Sequence, residues 1–239
     1  MQQALIGKEV SVFFGVTASG KIIYLGEACD KKTAGEGEPN GGGWGGYSPS
    51  GLMTRARFRT IVKRIVKPTV AGLVKNGTPY VGILFFGIMV TTKGPMLLEY
   101  NCRFGMPEAE IILERIADDP LALLYAIATD TLTSRSVSID PDPALCVVVA
   151  GPDYPRENGR LGGIATGFTD AARRPYVSVY HRFPCSEGNQ VRVGGGRAFS
   201  ITARGKTMQE ARARAYEAVG DIHFENGMKY RKDIGEDFP

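Results

Sequence analysis

The run from Tyr80 to Glu108 constrains this chain most. An apolar stretch, Tyr80 to Val90, is broken by Thr91-Thr92-Lys93-Gly94 and returns as Pro95 to Tyr100. Two β-rich segments split by a short glycine-containing turn predict a hairpin. Side chains on a strand alternate between faces, so Glu99 and Asn101 are expected to point the same way, with Arg103 joining them if the extension continues. A carboxylate, an amide oxygen and a guanidinium would then share one face. Mg²⁺ takes oxygen ligands, usually one or two carboxylates plus substrate phosphates. Arg103 would suit the phosphate end. The same spacing also describes an ordinary surface strand with a Glu/Arg pair, which does little for stability.

The surrounding chain supplies further elements. Val10 to Val16 and Ile22 to Leu25 read as strands around a turn at Gly20, and a domain that opens directly on such a hairpin looks like the middle of something longer. Cys29 to Pro49 is glycine-rich and too poor in apolar residues to predict an element. Gly41, Gly43 and Gly46 formally match G-x-G-x-x-G, but no strand directly precedes them and no helix opens there, so the dinucleotide reading fails its context. A ligand-covering loop and a plain linker both remain open. Thr54 can cap a helix carrying Phe58, Ile61, Val62, Ile65, Val66 and Val70, with Pro68 expected to kink or interrupt it. Its basic residues, Arg55 to Lys67, read as a solvated face. Pro107 to Ile127 predicts two short helices broken at Asp118-Asp119-Pro120. The Asp140-Pro141-Asp142-Pro143 link predicts a boundary. Beyond it, Leu145 to Ala150, Val177 to His181 and Phe199 to Ala203 read as strands, and Thr207 with Glu210 as a capping box ahead of a helix. The expected class is α+β.

With 239 residues the chain can bury a real core, and a hydrophobic content of 43% with 23% charged residues is that of a globular protein. No apolar run approaches the ~20 residues of a membrane span, and the first residues lack the pattern of a signal peptide; a cytoplasmic protein with no membrane partner is expected. A net charge of +4 suits small anionic ligands and does not argue for nucleic acid. Cys29, Cys102, Cys146 and Cys185 lack metal-ligand spacing, so reduced buried thiols are expected.

Taken together, P-N-G-G-G-W-G-G-Y-S-P at 39–49, L-E-Y-N-C-R-F-G-M-P-E at 98–108, G-G-R at 195–197 and R-K-D-I-G at 231–235 resemble the phosphoribosylamine–glycine ligase (glycinamide ribonucleotide synthetase) family of the ATP-grasp superfamily. The resemblance covers the family's carboxy-terminal portion. It implies the second lobe of an ATP-grasp fold over 1–137 followed by a small α+β carboxy-terminal domain over 138–239. It implies Glu99 and Asn101 as ligands for Mg²⁺ (or Mn²⁺), Arg103 as the phosphate-side catalytic arginine, and Gly42, Gly43 and Gly45 as a flexible nucleotide-covering loop. ATP would phosphorylate glycine, and 5-phosphoribosylamine would attack the glycyl phosphate. Asp30, Arg197, Arg231 and Lys232 are the residues expected near substrate.

The chain departs from the family's pattern where Met106 stands for an aspartate, Lys31-Lys32-Thr33 for H-K-R, and Trp44 for a methionine; Gln2 and Gln3 align with two acidic adenine-hinge residues. The family's amino-terminal domain and first lobe have no counterpart, so weak ATP binding and no turnover by the chain alone are expected, with a second chain as a possible supplier. Two other readings stay open: an ATP-grasp ligase for a different carboxylate and amine, and a non-catalytic binding module that has kept the fold.

Overall fold

A computed structural model describes residues 4–35, 40–133, 136–156, 161–182, 184–188 and 190–239, except for the side chain of Cys185. The first elements are β1 (Lys8–Val16), β2 (Ile22–Asp30), β3 (Gly45–Ser48), α1 (Arg55–Ile61), α2 (Lys67–Lys75), β4 (Gly82–Thr91), β5 (Gly94–Asn101), α3 (Glu108–Arg115) and α4 (Pro120–Ala128). They are followed by β6 (Ala144–Ala150), β7 (Gly163–Thr166), α5 (Phe168–Arg173), β8 (Val177–His181), β9 (Cys185–Glu187), β10 (Gln190–Val193), β11 (Arg197–Arg204), α6 (Met208–Asp221) and β12 (His223–Phe224).

The chain divides into two compact units, Met1–Cys29 with Ser48–Pro141 and Asp30–Tyr47 with Asp142–Pro239. A single boundary at 137/138 was expected from sequence; the contacts instead place Asp30–Tyr47 with the later residues.

In the first unit the strands run in the order β5-β4-β1-β2, all neighbours antiparallel. β1 is buried from Val10 onward because both faces of the sheet are covered. Phe13, Ile23, Leu25 and Phe85 pack with Ile112, Ile116 and Ile127 of the α3 and α4 region. On the other face, Phe14 meets Phe58 and Phe86, with ring centroids 6.4 and 5.8 Å apart. Aromatic contacts of this kind add to what area burial alone contributes. The two predicted helices are present. Asp119 caps α4 by accepting from the N–H groups of Leu121 and Ala122 at 2.9 and 3.3 Å.

The expected interruption at Pro68 takes another form. Val62–Val66 forms a π turn, and the N–H of Lys67 reaches back five residues to the Val62 carbonyl. Proline has no N–H to give an α-helical partner. The ladder slips by one residue just ahead of Pro68, and the helix continues to Lys75.

In the second unit one sheet has the order β3-β6-β11-β8 and another the order β12-β7-β10-β9. β6, A-L-C-V-V-V-A, is buried along its whole length, as a central strand covered on both faces must be. α6 packs on β6 and β11. Its capping differs slightly from the expected box: Thr207 accepts from the Glu210 N–H at 3.1 Å, but the Glu210 carboxylate accepts from Lys206 at 2.7 Å, one residue earlier than the box requires.

Two expectations are corrected. The glycine-rich stretch does contain an element, since Gly45–Ser48 is a fully buried strand made from G-G-Y-S. Small residues let neighbouring chains approach closely, which hydropathy alone does not register. And Cys102, expected to be buried, is exposed beyond the end of β5, while Cys29 and Cys146 are buried as expected.

Candidate functional site

β5 pairs with β4 through an irregular register. Leu97 lies opposite Ile88 and Glu99 opposite Gly87, so Leu98 is an extra residue on the β5 side. Such bulges re-aim the side chains that follow them. Glu99 extends across Gly87, where an added Cβ would lie 3.0 Å from its Cγ; the glycine leaves the carboxylate its path. Asn101 follows on the same face, and its Nδ2 donates to Glu99 Oε1 at 3.2 Å. The side-by-side placement expected from spacing is therefore present. Glu99 is exposed and Asn101 half-buried, which leaves both reachable from solvent.

Arg103 does not join the pair. β5 ends at Asn101, and the Arg103 guanidinium donates to the neighbouring Phe104 carbonyl at 2.7 Å. Among the described residues no group of three or more His, Cys, Asp or Glu side chains could cage a metal. Two oxygen-bearing side chains at the edge of a sheet instead fit a cation completed by water and substrate phosphate, the habit of Mg²⁺.

Two buried carboxylates in the same unit were not anticipated. Glu27, on β2, accepts from the Ser50 N–H with both oxygens at 3.1 Å. Burial pushes its carboxyl up, against the opposing pull of Ser50 and Arg115. Arg115 donates to the Ser48 hydroxyl at 2.6 Å and to the Asp140 carbonyl at 2.9 Å. Glu108 opens α3, is 3% exposed, and accepts from the Ser11 hydroxyl at 3.0 Å. The available signal was a charged residue inside an apolar strand, L-G-E-A-C, and one at a helix start, where a carboxylate is favoured.

The second unit holds the other predicted residues. Gly42 has φ 78°, and its neighbour Arg197 donates to the Gly43 carbonyl at 3.2 Å. Tyr154 donates to the Gly41 carbonyl at 2.5 Å, and its ring lies 5.3 Å from that of Trp44. Trp44 is fully buried, and its Nε1 has no acceptor among the described residues. The loop is thus held by side chains around it. Gly45 belongs to buried β3 and not to a loop.

Arg231 is also turned inward. It binds both oxygens of Asp233, at 2.8 and 2.5 Å, and the Thr33 carbonyl at 2.8 Å. That pairing raises the Arg231 pKa and lowers that of Asp233. Lys31, Thr33, Arg231 and Lys232 line a polar cleft of about 480 Å³. Lys31 is held by Asp237 at 2.7 Å, whereas Lys232 is exposed. Asp30 closes β2 and is half-buried. Gln2 and Gln3 lie outside the described residues.

Two sequence models of one family match this chain: the phosphoribosylglycinamide synthetase ATP-grasp (A) domain over residues 1–109 and the C domain of the same synthetase over 144–237. The chain belongs to the phosphoribosylglycinamide synthetase family. The phosphoribosylamine–glycine ligase of Rhizobium meliloti is 40% identical over 98% of this chain, which covers 55% of that protein. The crystal structure of the Thermotoga maritima phosphoribosylamine–glycine ligase superposes with a TM-score of 0.85 at 27% identity, over 98% of this chain and 57% of that one. The biotin carboxylase domain of Hydrogenobacter thermophilus 2-oxoglutarate carboxylase, solved with magnesium ADP and bicarbonate, gives a TM-score of 0.67 over 96% of this chain and 49% of that one. Its 15% identity shows the shared fold alone. The synthetase-family chain thus spans about half the length of the curated relatives it matches. Its relatives are ATP-grasp ligases, and no helix among its described residues is long and apolar enough to cross a membrane.

Proposed function

We propose that this chain is the carboxy-terminal part of a phosphoribosylamine–glycine ligase, joining glycine to 5-phosphoribosylamine through a glycyl phosphate at the expense of ATP. In this reading the first compact unit, Met1–Cys29 with Ser48–Pro141, forms the second ATP-grasp lobe, and the second unit carries the carboxy-terminal domain. One observation carries the proposal: Glu99 and Asn101 stand side by side on β5, 3.2 Å apart and open to solvent. A Mg²⁺ or Mn²⁺ ion held there together with ATP would neutralise charge on the transferring phosphoryl group, and phosphoryl transfer depends on positioning and charge neutralisation more than on covalent chemistry.

The chain's own groups have the following parts. Glu99 supplies the negative oxygen ligand and Asn101 a neutral one, after its amide turns from the present hydrogen bond. Arg103, exposed two residues beyond Asn101, swings from the Phe104 carbonyl to phosphate oxygens and stabilises charge as it develops. Gly42 and Gly43 bring backbone close to the nucleotide, with Gly45 anchoring the loop behind them. Lys232 meets the anionic end of the amine substrate, Arg231 braces that cleft through Asp233, Arg197 fixes the Gly43 carbonyl, and Asp30 takes the substrate amine. The amino-terminal domain and first lobe come from a separate chain or from the same one.

The test combines this chain with the amino-terminal segment of the Rhizobium meliloti relative and follows phosphate release with ATP, Mg²⁺, glycine and phosphoribosylamine. Release is expected only with both segments, falling at least about a hundredfold in Glu99→Gln, since one displaced charge at phosphoryl transfer is worth several kcal/mol. Equal release from Glu99→Gln would sink the assignment. Faster turnover with another small acid would move it to a different carboxylate, and Met106 makes that comparison informative.

A further inference from the structure

Helix α4, P-L-A-L-L-Y-A-I-A, contains no charged residue. Helices apolar all round are normally buried. Here only Ile127 is fully covered, and Leu123 and Ala126 pack partly against the core. Leu121 is 75% exposed, Tyr125 68% and Leu124 38%, and with exposed Ala128 they follow one another at helical spacing along a single stripe. A contiguous apolar surface of this kind marks an interface. Its amino-terminal edge is acidic: Asp118 and Asp119 are exposed there, Asp118 accepting from the Ser138 N–H and Asp119 from those of Leu121 and Ala122.

We propose that the exposed stripe of α4 is the docking surface for the part of the relatives' polypeptide that lies outside the segment this chain matches. The inference rests on the reading given above, and the length relation argues for this occupant: the chain accounts for 55% of the Rhizobium meliloti relative and 57% of the Thermotoga maritima one, so a large folded segment is left to be accommodated. The partner surface is apolar at its centre, where it covers Leu121, Leu124 and Tyr125, with lysine or arginine at the rim facing Asp118 and Asp119. An apolar core with a charged rim is the usual arrangement of such interfaces.

The test fuses the amino-terminal segment of the Rhizobium meliloti relative to the amino terminus of this chain and compares backbone hydrogen exchange over 120–129 with that of the unfused chain. Exchange is expected to slow roughly tenfold or more in the fusion, because α4 can then open only when the interface does. The Leu121→Ser/Tyr125→Ser double variant should restore the unfused rate while leaving exchange in β1 and β4 unchanged. Identical exchange in fused and unfused chains would overturn the proposal. So would protection of α4 in the unfused chain that grows with concentration, since the occupant would then be a second copy. The readout is separate from catalysis: a fusion that protects α4 without releasing phosphate keeps the surface and removes the proposed reaction, and release without protection does the reverse.

Discussion

Replacing Gly45 with alanine should be the most damaging single-methyl change in the glycine-rich stretch. Gly45 has φ 153°, a value L-residues rarely adopt, and a Cβ there would lie 2.6 Å from the Cys146 carbonyl oxygen and 2.7 Å from Ile234 Cγ1. The first contact is with backbone of the central strand β6, so the methyl cannot be accommodated by a rotamer change. Backbone strain of this sort costs about 1–3 kcal/mol and overpacking a core about 1–3 kcal/mol. Taking about 3 kcal/mol as the sum after partial relaxation, Tm should fall by roughly 6–12 °C for a chain of this size. Two neighbours calibrate the experiment. At Gly42, φ is 78° and the added Cβ would sit 2.9 Å from Arg197 Nη1, the end of a flexible side chain that can withdraw, so about 1 kcal/mol is expected. At Gly196 no atom of the described residues lies within 4 Å, and the same substitution should be nearly silent. Urea unfolding of the three variants gives the order directly. A Gly45→Ala protein as stable as Gly196→Ala would refute the strand assignment and return Gly45 to an open loop.

Further tests follow from other contacts. Glu27→Gln should flatten the pH dependence of stability: burial raises the folded carboxyl pKa, so its contribution is full below the unfolded value of about 4.3 and is lost as pH rises through the folded value, a slope that urea titrations from acid to neutral pH would show in the parent and not in the variant. Asp119→Ala removes the cap of α4 and should cost about 1 kcal/mol by thermal melting, with no loss if the cap is idle. In a Cys185→Ser background Cys102 should react with a thiol reagent well ahead of Cys29 and Cys146, and Cys102→Ser should delete that fast phase. Tyr154→Phe leaves the Gly41 carbonyl without its hydroxyl donor and should cost about 1 kcal/mol, with a red shift of the emission of Trp44, the single tryptophan, if the ring stacking loosens as well.

Much of this was legible in the chain itself, for local reasons. The Tyr80–Tyr100 hairpin, the helices on either side of Asp118-Asp119-Pro120 and the α6 cap were readable because periodicity, proline and capping act within a few residues. Glu99 and Asn101 were readable together because strand alternation fixes their shared face. Arg103 was not, because the strand's end depends on where β4 stops pairing. Gly45–Ser48 was missed because its burial comes from residues about a hundred positions later in the chain. The grouping of Asp30–Tyr47 with Asp142–Pro239 has the same origin. Glu27 and Arg231 show the limit from the other side: a charged residue announces itself in sequence, but whether it faces a ligand or a serine, or is matched by its own neighbour Asp233, is decided by folding.

The π turn at Val62–Val66 bears on how this helix tolerates change. Ile61, Val66 and Val70 are the buried residues of the three helical segments, five and then four positions apart. In an uninterrupted α-helix a step of five would swing Val66 well away from the side that Ile61 occupies. The wider turn absorbs that surplus, so both halves keep their footing on the sheet. The segment can therefore be read as an α-helix carrying one inserted residue, and removal of a single residue between 62 and 66 is the length change it is built to survive.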